Sequence, residues 1–239
     1  MGQSGALGLG PLTRWPSLRQ ADYAAALARM QAYTETREPG SADVFWAVEH
    51  TPVYTLGLAG QGHHILDPGD IPVVRSDRGG QVTYHGPGQL VFYTLLDLRR
   101  LGLTIRGLVC AMEQGVISML TDLGLEHAGR VRGAPGVYLP ASAATKLADL
   151  RPGPQALKIA SLGLKVRKGA CYHGVALNLR LDPTGFDRIN PCGYPGLGIT
   201  DLYRQGINLH WEEAADMLDR YLQKQFYPST AATPHDTLG

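Results

Sequence analysis

Eight short runs rich in β-branched, aromatic and other apolar residues, each bounded by Gly, Pro or polar turn residues, dominate the chain between residues 44 and 181. They fall at 44–48, 53–58, 73–75, 90–96, 136–139, 157–162, 165–167 and 175–181. Runs of this length and punctuation read as strands. Only three segments carry helical spacing. Residues 17–30 are Ala-rich with Ser17 as the expected N-cap. After Thr104, the residues Ile105, Leu108, Val109, Met112, Val116, Met119, Leu120 and Leu123 share one helical face. Trp211, Ala214, Ala215, Leu218, Leu222 and Phe226 do the same near the end. Each stripe reads as core. Strands grouped around a few helices, without strict β-α alternation, specify an α+β domain: a mixed β-sheet with helices packed on it. At 239 residues and 44% hydrophobic, the chain is long enough for one such domain to bury most of its surface.

Charge and cysteine count narrow the setting. A formal net charge of +1 gives no global basic field for nucleic acid. Cys110, Cys171 and Cys192 are odd in number and lack metal-ligand spacing, which argues against a disulfide framework and for a reduced, cytoplasmic setting. Residues 1–11 have no basic, apolar signal-peptide pattern, and Ala6 stands where a myristoylation motif needs Ser or Thr. No stretch reaches the length of a membrane span. Neither a membrane nor a nucleic acid is expected as partner. His63-His64 lack a third ligand at useful spacing, so no metal site is expected.

Residues 78–89 read Arg-Gly-Gly-Gln-Val-Thr-Tyr-His-Gly-Pro-Gly-Gln, five of twelve being Gly or Pro, and run straight into an apolar strand. Glycine at that density lets a backbone approach a ligand and present amide donors, with Arg78 and His85 as flanking polar points. A tight hairpin needing positive φ angles accounts for the composition equally well. It is not a P-loop, because no Gly-Lys-Ser/Thr follows.

Cys192 lies in a rigid polar loop, Asn190-Pro191-Cys192-Gly193, unlike the other two cysteines. Cys110 reads as a small buried hydrophobe in a helix, and Cys171 as structural at the start of a strand. A nucleophilic thiol needs a base or cation beside it. His85, His173 and Lys158 are the candidates. Lys158 stands between Leu157 and Ile159 in an apolar run, either with a task for its amine or snorkelling at a sheet edge. His173 reads as a hydrogen-bonded core residue.

Taken together, the segment from Arg78 to Gln89, Lys158-Ile-Ala-Ser-Leu-Gly163, His173-Gly-Val-Ala-Leu-Asn178 and Asn190-Pro-Cys-Gly193, in that order, resemble the octanoyl-[acyl-carrier-protein]:protein N-octanoyltransferases, or lipoyl(octanoyl) transferases. Thr55-Leu-Gly57 and Gly198-Ile-Thr-Asp-Leu202 extend the match, which runs from about residue 18 to 222. The resemblance implies the fold of the biotin and lipoate protein ligase catalytic domain. It implies Cys192 as acyl-thioester nucleophile and Lys158 as its base and proton shuttle. It places the acyl substrate on Arg78, Gly79, Gly80, Gln81, Val82, Thr83, Tyr84 and His85, completed by Ser161, Leu162, Gly163, Gly174, Val175 and Ala176. No cofactor is implied. The expected reaction transfers an octanoyl group from octanoyl-acyl carrier protein to the lipoyl-domain lysine of 2-oxoacid dehydrogenases and the glycine cleavage H protein, the first step of endogenous protein lipoylation.

The expected organisation is an N-terminal extension over 1–16, one catalytic acyltransferase domain over 17–227, and a flexible tail over 228–239, the protein acting as a monomer. Residues 141–154 read as a surface loop longer than the family norm. Backbone amides of the glycine segments are the expected oxyanion donors. Lys165, Arg167 and Lys168 form a candidate docking patch for an acidic carrier protein, or else a solvated turn. Three rivals differ in chemistry. An ATP-dependent ligase of the same fold needs no thiol, and lipoate ligases typically continue from the histidine with Asp and Gly-Asn where this chain has Gly-Pro-Gly-Gln. An amidotransferase would take its acyl group from another protein. A silent acyl-binding module would leave Cys192 and Lys158 incidental. A papain-like hydrolase is disfavoured, because no His and Asn follow the cysteine at suitable spacing.

Overall fold

The computed structural model describes residues 10–142 and 144–228. The signal-peptide and myristoylation readings at the N-terminus, and all of the C-terminal tail except Pro228, lie outside these residues.

In chain order the elements are β1 (Leu12–Arg14), β2 (Leu18–Ala21), α1 (Tyr23–Glu35), β3 (Asp43–His50), β4 (Val53–Leu56), β5 (Val73–Arg75), β6 (Val82–His85), β7 (Gln89–Asp97), α2 (Ile105–Asp122), β8 (Gly129–Val131), β9 (Ala134–Pro140), β10 (Ala156–Arg167), β11 (Ala170–Asn178), α3 (Thr184–Asp187) and α4 (Trp211–Phe226). An eight-stranded sheet runs β1-β3-β7-β11-β10-β9-β8, with β2 also pairing β3. A second sheet has the order β5-β4-β6. Pairing is antiparallel except at β1–β3, β2–β3 and β4–β5, so the sheet is mixed as expected.

Alternation along the strands gives the large sheet two apolar faces. On one, Phe45, Phe92, Val175 and Leu177 pack under α2 and α4 with Leu108, Met112, Leu218 and Leu222. On the other, Val44, Trp46, Val91, Tyr93 and Ala176 pack against Ala26 and Met30 of α1. The small sheet has its own core, in which Tyr54, Val82, Tyr84 and Phe186 meet.

Several expectations shift in detail. Helix α1 starts at Tyr23, because Asp22 rather than Ser17 caps it: its carboxylate accepts from Ala25 N at 2.7 Å. Residues 18–21 instead add to the edge of β3. Leu12–Arg14, inside the stretch read as an extension, pair in parallel with β3, so the sheet reaches back to them. The runs 157–162 and 165–167 are one strand, and its hairpin to β11 turns through Lys168 and Gly169, both at positive φ. Residues 141–142 and 144–155 belong to a surface excursion closed by Ala141 N donating to Gln155 O at 3.0 Å. Cys171 is buried, and burial pushes its thiol up to about 12. Cys110 is exposed, contrary to its reading as a buried hydrophobe, because its position on α2 lies off the apolar stripe. Among the described residues no helix is long and apolar enough to cross a membrane.

Candidate active site

A cavity of 410 Å³ lies against the α1-side face of the large sheet, roofed by the Gly-rich segment and the loop that carries Cys192. Its walls bring together strands β6, β7, β10 and β11, which lie far apart in sequence.

Lys158 reaches this cavity through an irregularity. Counting back from Ser161, which lines the cavity, simple alternation would put Ile159 on the cavity side and Lys158 in the core. Instead the pairing of β10 with β9 slips between Lys158 and Ala160, a β-bulge. Ile159 and Ala160 both turn into the core under α2, and Lys158 comes round to the cavity. The bulge is held by a second partner: Lys158 N donates to Gly198 O at 2.8 Å, and Thr200 N donates to Lys158 O at 3.0 Å.

The lysine amine, 2% exposed, donates to Cys192 Sγ at 3.0 Å and to Pro135 O at 3.0 Å. The Tyr138 ring lies 5.2 Å from it. Burial is the largest influence on this amine and opposes its charge. The charge on the Cys192 sulfur and the Tyr138 side chain outweigh that, holding it above the usual lysine range. Room for it comes from Gly136 at φ 140°, where a Cβ would sit 2.6 Å from Lys158 Cε.

Cys192 is half-buried, in a short 3-10 turn over Pro191–Gly193, at φ 56° and ψ 15°. A left-handed non-glycine residue costs on the order of 1–3 kcal/mol and recurs where surrounding structure fixes a functional side chain. Asn190 N donating to His64 O at 2.8 Å ties the loop to the small-sheet side.

Arg78 has a structural task as well as a place in the cavity wall. Its guanidinium is buried and spent on the protein: Nη2 donates to Thr55 O, Thr55 Oγ1 and Gln81 O at 2.6, 2.8 and 2.8 Å, and Nη1 to Gly79 O at 2.9 Å. It clamps the Gly-rich segment to Thr55 while lining the cavity. With no carboxylate among these partners, burial lowers its pKa. Gly79, Gly80, Gln81, Val82, Thr83, His85, Ser161, Leu162, Gly163, Gly174, Val175 and Ala176 also line the cavity. Tyr84 does not. Its ring packs against Tyr54 and Phe186 in the small core. Of the glycine amides expected as oxyanion donors, those of Gly79 and Gly193 donate to Leu164 O and Asn190 O.

Other cavity residues stand outside the expected substrate-binding set. His173, read as core, lines the cavity because its φ of 68° breaks alternation in β11. It and the preceding Tyr172 therefore both reach Asp77, His173 Nε2 at 2.9 Å from Oδ1. Asp77 is held well below the usual carboxylate range: burial opposes its charge, but these bonds outweigh it. Tyr23 and Tyr93 complete that end. Ile105 and Val109, expected wholly in the core stripe of α2, face the cavity mouth.

Behind the wall a buried polar chain runs from His85 to the bulge. His85 Nδ1 lies 2.7 Å from Gln89 Oε1, Gln89 Nε2 donates to Asn178 Oδ1 at 2.9 Å, and Asn178 Nδ2 donates to Thr200 O at 2.9 Å. The donor order sets Nδ1 of His85 as protonated, leaving Nε2 an acceptor. Burial pushes His85 down to about 3 and His50, bonded to Tyr93 Oη at 2.7 Å, down to about 4. Both stay neutral in the fold while the unfolded chain titrates near 6.5. The unfolded state therefore takes up protons first, and stability present at pH 7 is lost as pH falls toward those values. The melting temperature should drop steeply from pH 7 to 5, by a few kcal/mol of stability. A His50→Gln variant should show a shallower slope; equal slopes would remove His50 from the account.

Residues 22–223 match the family described as the lipoyl protein ligase A/B catalytic domain. The chain is 50% identical over 206 residues to an octanoyltransferase of Bordetella parapertussis, covering 86% of this chain and 89% of that one. It is 51% identical over 209 residues to an octanoyltransferase of Methylococcus capsulatus, covering 87% and 93%. Among solved structures, a bi-partite lipoate protein ligase from Thermoplasma acidophilum aligns with TM-score 0.69 at 17% identity, over 90% of this chain and 83% of that one. That likeness shows the ligase-type fold expected from the motifs.

Proposed function

The chain belongs to the lipoyl protein ligase A/B catalytic-domain family, and within it we propose that it carries octanoyl groups from an acyl carrier protein to the lysine of lipoyl domains, through a thioester on Cys192. The observation that carries this reading is the 3.0 Å contact between the Lys158 amine and the Cys192 sulfur at the wall of the cavity. An adenylate-forming ligase has no need of that pair.

The steps balance on these two groups. Lys158 takes the thiol proton, and the thiolate attacks the carrier thioester. The tetrahedral adduct collapses, the carbon–sulfur bond to the carrier arm breaks, and Lys158 protonates the departing thiol. Its amine is then neutral, and it takes a proton from the acceptor lysine as that amine attacks the Cys192 thioester. Cys192 leaves as thiolate beside the lysine ammonium, and the pair is restored. Exchange of one thioester for another is close to energetically neutral, so the first half needs no ATP. The cavity lies in the range of ordinary ligand sites, and each methylene buried contributes about 0.8 kcal/mol toward holding the tail.

Intact mass of the enzyme after incubation with octanoyl carrier protein tests donor and intermediate together. One octanoyl adduct, labile to hydroxylamine and transferred on adding an unmodified lipoyl domain, is expected. Turnover that requires ATP and free octanoate, with no adduct, would overturn it.

A further inference from the structure

We propose that Arg106 and Arg132, on two sides of the cavity mouth, form the docking surface for the acidic face of the acyl carrier protein. This rests on the carrier-bound donor proposed above.

The mouth is located by exposure. Of the lining residues, Ile105 is 57% and Tyr194 36% exposed, and Gly80, Gly133 and Pro135 are exposed too, whereas Tyr23, Tyr93, His173 and Ala176 are buried. Arg106 directly follows Ile105 in α2. Arg132 directly precedes Gly133 in the two-residue turn between β8 and β9, where Val131 pairs with Ala134. Both arginines are exposed, and neither has an ion-pair or side-chain hydrogen-bond partner among the described residues. Their neighbour Arg130, by contrast, is tied to Glu113 at 2.7 Å.

Folding does not account for Arg106. It stands in the first turn of α2, where the helix dipole disfavours a cation and where the helix has no acidic residue. An arriving anionic surface accounts for it. Guanidinium groups suit carboxylates and phosphates, and exposed Ile105 and Tyr194 at the same mouth supply apolar contact. The two substrates differ in just this respect: the donor brings an anionic phosphodiester at the root of its arm, whereas the acceptor must bring in a lysine, which two unpaired arginines repel.

Of the basic cluster first expected to dock the carrier, two of its three members, Arg167 and Lys168, are paired and far from the Lys158 amine, and Lys165 stands beside the buried His173 end of the cavity, away from the mouth. Arg167 and Lys168 both pair with Glu35, at 2.7 and 2.6 Å. They lie at the hairpin tip, nine residues along β10 from Lys158, a separation of about 30 Å in extended strand.

The test compares two donors. With octanoyl carrier protein, R106E/R132E should raise KM by about 30-fold or more and flatten the salt dependence of kcat/KM. Acyl-enzyme formation from octanoyl-pantetheine, which lacks carrier and phosphate, should stay within about twofold of wild type, as should KM for the lipoyl domain. R167E/K168E should leave the carrier KM unchanged. Equal loss with both donors, an unchanged carrier KM, or a raised lipoyl-domain KM in its place would overturn the docking surface while leaving the acyl-enzyme reading intact. Failure of the wild type to form a Cys192 adduct from either donor would overturn both.

Discussion

Cys192→Ala should abolish octanoyl transfer, by at least about a thousandfold, and leave no acyl adduct, while the protein stays folded. Stability should change little. Alanine carries the same Cβ into the left-handed backbone, and the sulfur is at the cavity wall rather than in a packed core. Cys192→Ser keeps an oxygen near the lysine but should form no thioester, because a hydroxyl gives up its proton far less readily than a thiol. Cys192→Gly should relieve backbone strain and raise the melting temperature slightly, with activity equally lost. Mass spectrometry and thermal unfolding of the three variants separate the chemical role from the structural one. An adduct forming on Cys192→Ala at the wild-type rate would sink the mechanism. Transfer of the adduct to exposed Cys110 in that variant would instead mark a bystander thiol, to be checked with Cys110→Ala.

Removing the amine should be nearly as severe. Lys158→Met should slow acyl-enzyme formation by about 10²–10⁴-fold at neutral pH, the usual yield of a positioned acid–base group. The buried site gives this variant no folding penalty to confuse the result, since a buried charge is exchanged for an apolar side chain of similar length. The pH profile is the sharper readout. In the wild type the lysine's raised pKa keeps its ammonium in place through and above neutral pH, so acylation should be flat there and fall only as pH rises past the lysine range. In Lys158→Met, acylation should climb about tenfold per pH unit toward the range of an unassisted thiol, near 8.5. Lys158→Arg separates the two halves of the cycle, because a guanidinium can accompany a thiolate but cannot accept a proton from the acceptor lysine. A flat profile in Lys158→Met would show that the amine does not set the state of the thiol.

Much of this site was legible from short motifs, for reasons that differ by residue. Cys192 stood out because Pro and Gly on either side rarely frame a buried structural cysteine. The α2 and α4 stripes were readable from 3.6-residue periodicity, except at Ile105 and Val109, where the cavity and not the core meets the first turns of α2. Tyr84 falls outside the cavity because its ring packs on Tyr54 and Phe186 in the small core, a placement that a contiguous motif does not announce. Ser17 lost the cap of α1 because the edge of β3 claimed residues 18–21, a tertiary pairing that local sequence does not announce. Tyr23, Tyr93 and Pro135 carry no signature of their own; only the fold gathers them. Arg78 lines the cavity as the motif suggests, but what its guanidinium holds, Thr55 and the segment it begins, could be read only from the structure. The pairing of Cys192 with Lys158, over 34 positions of sequence, could come only from resemblance until the coordinates placed it.

The slip in β10 makes this catalyst depend on counting as well as on composition. The strand is read in two frames: one, through residues 161 and 163, supplies the cavity wall, and the other, through residue 158, supplies the amine. Losing Ile159 would merge the frames without changing the lysine, the cysteine or any wall residue. The amine would still point into the cavity, but one step along the strand, about 3.3 Å, from where the sulfur waits for it. A comparison of related chains that scores only which residues match would rate such a deletion as harmless, because Lys158, Cys192 and the cavity-wall residues would all remain.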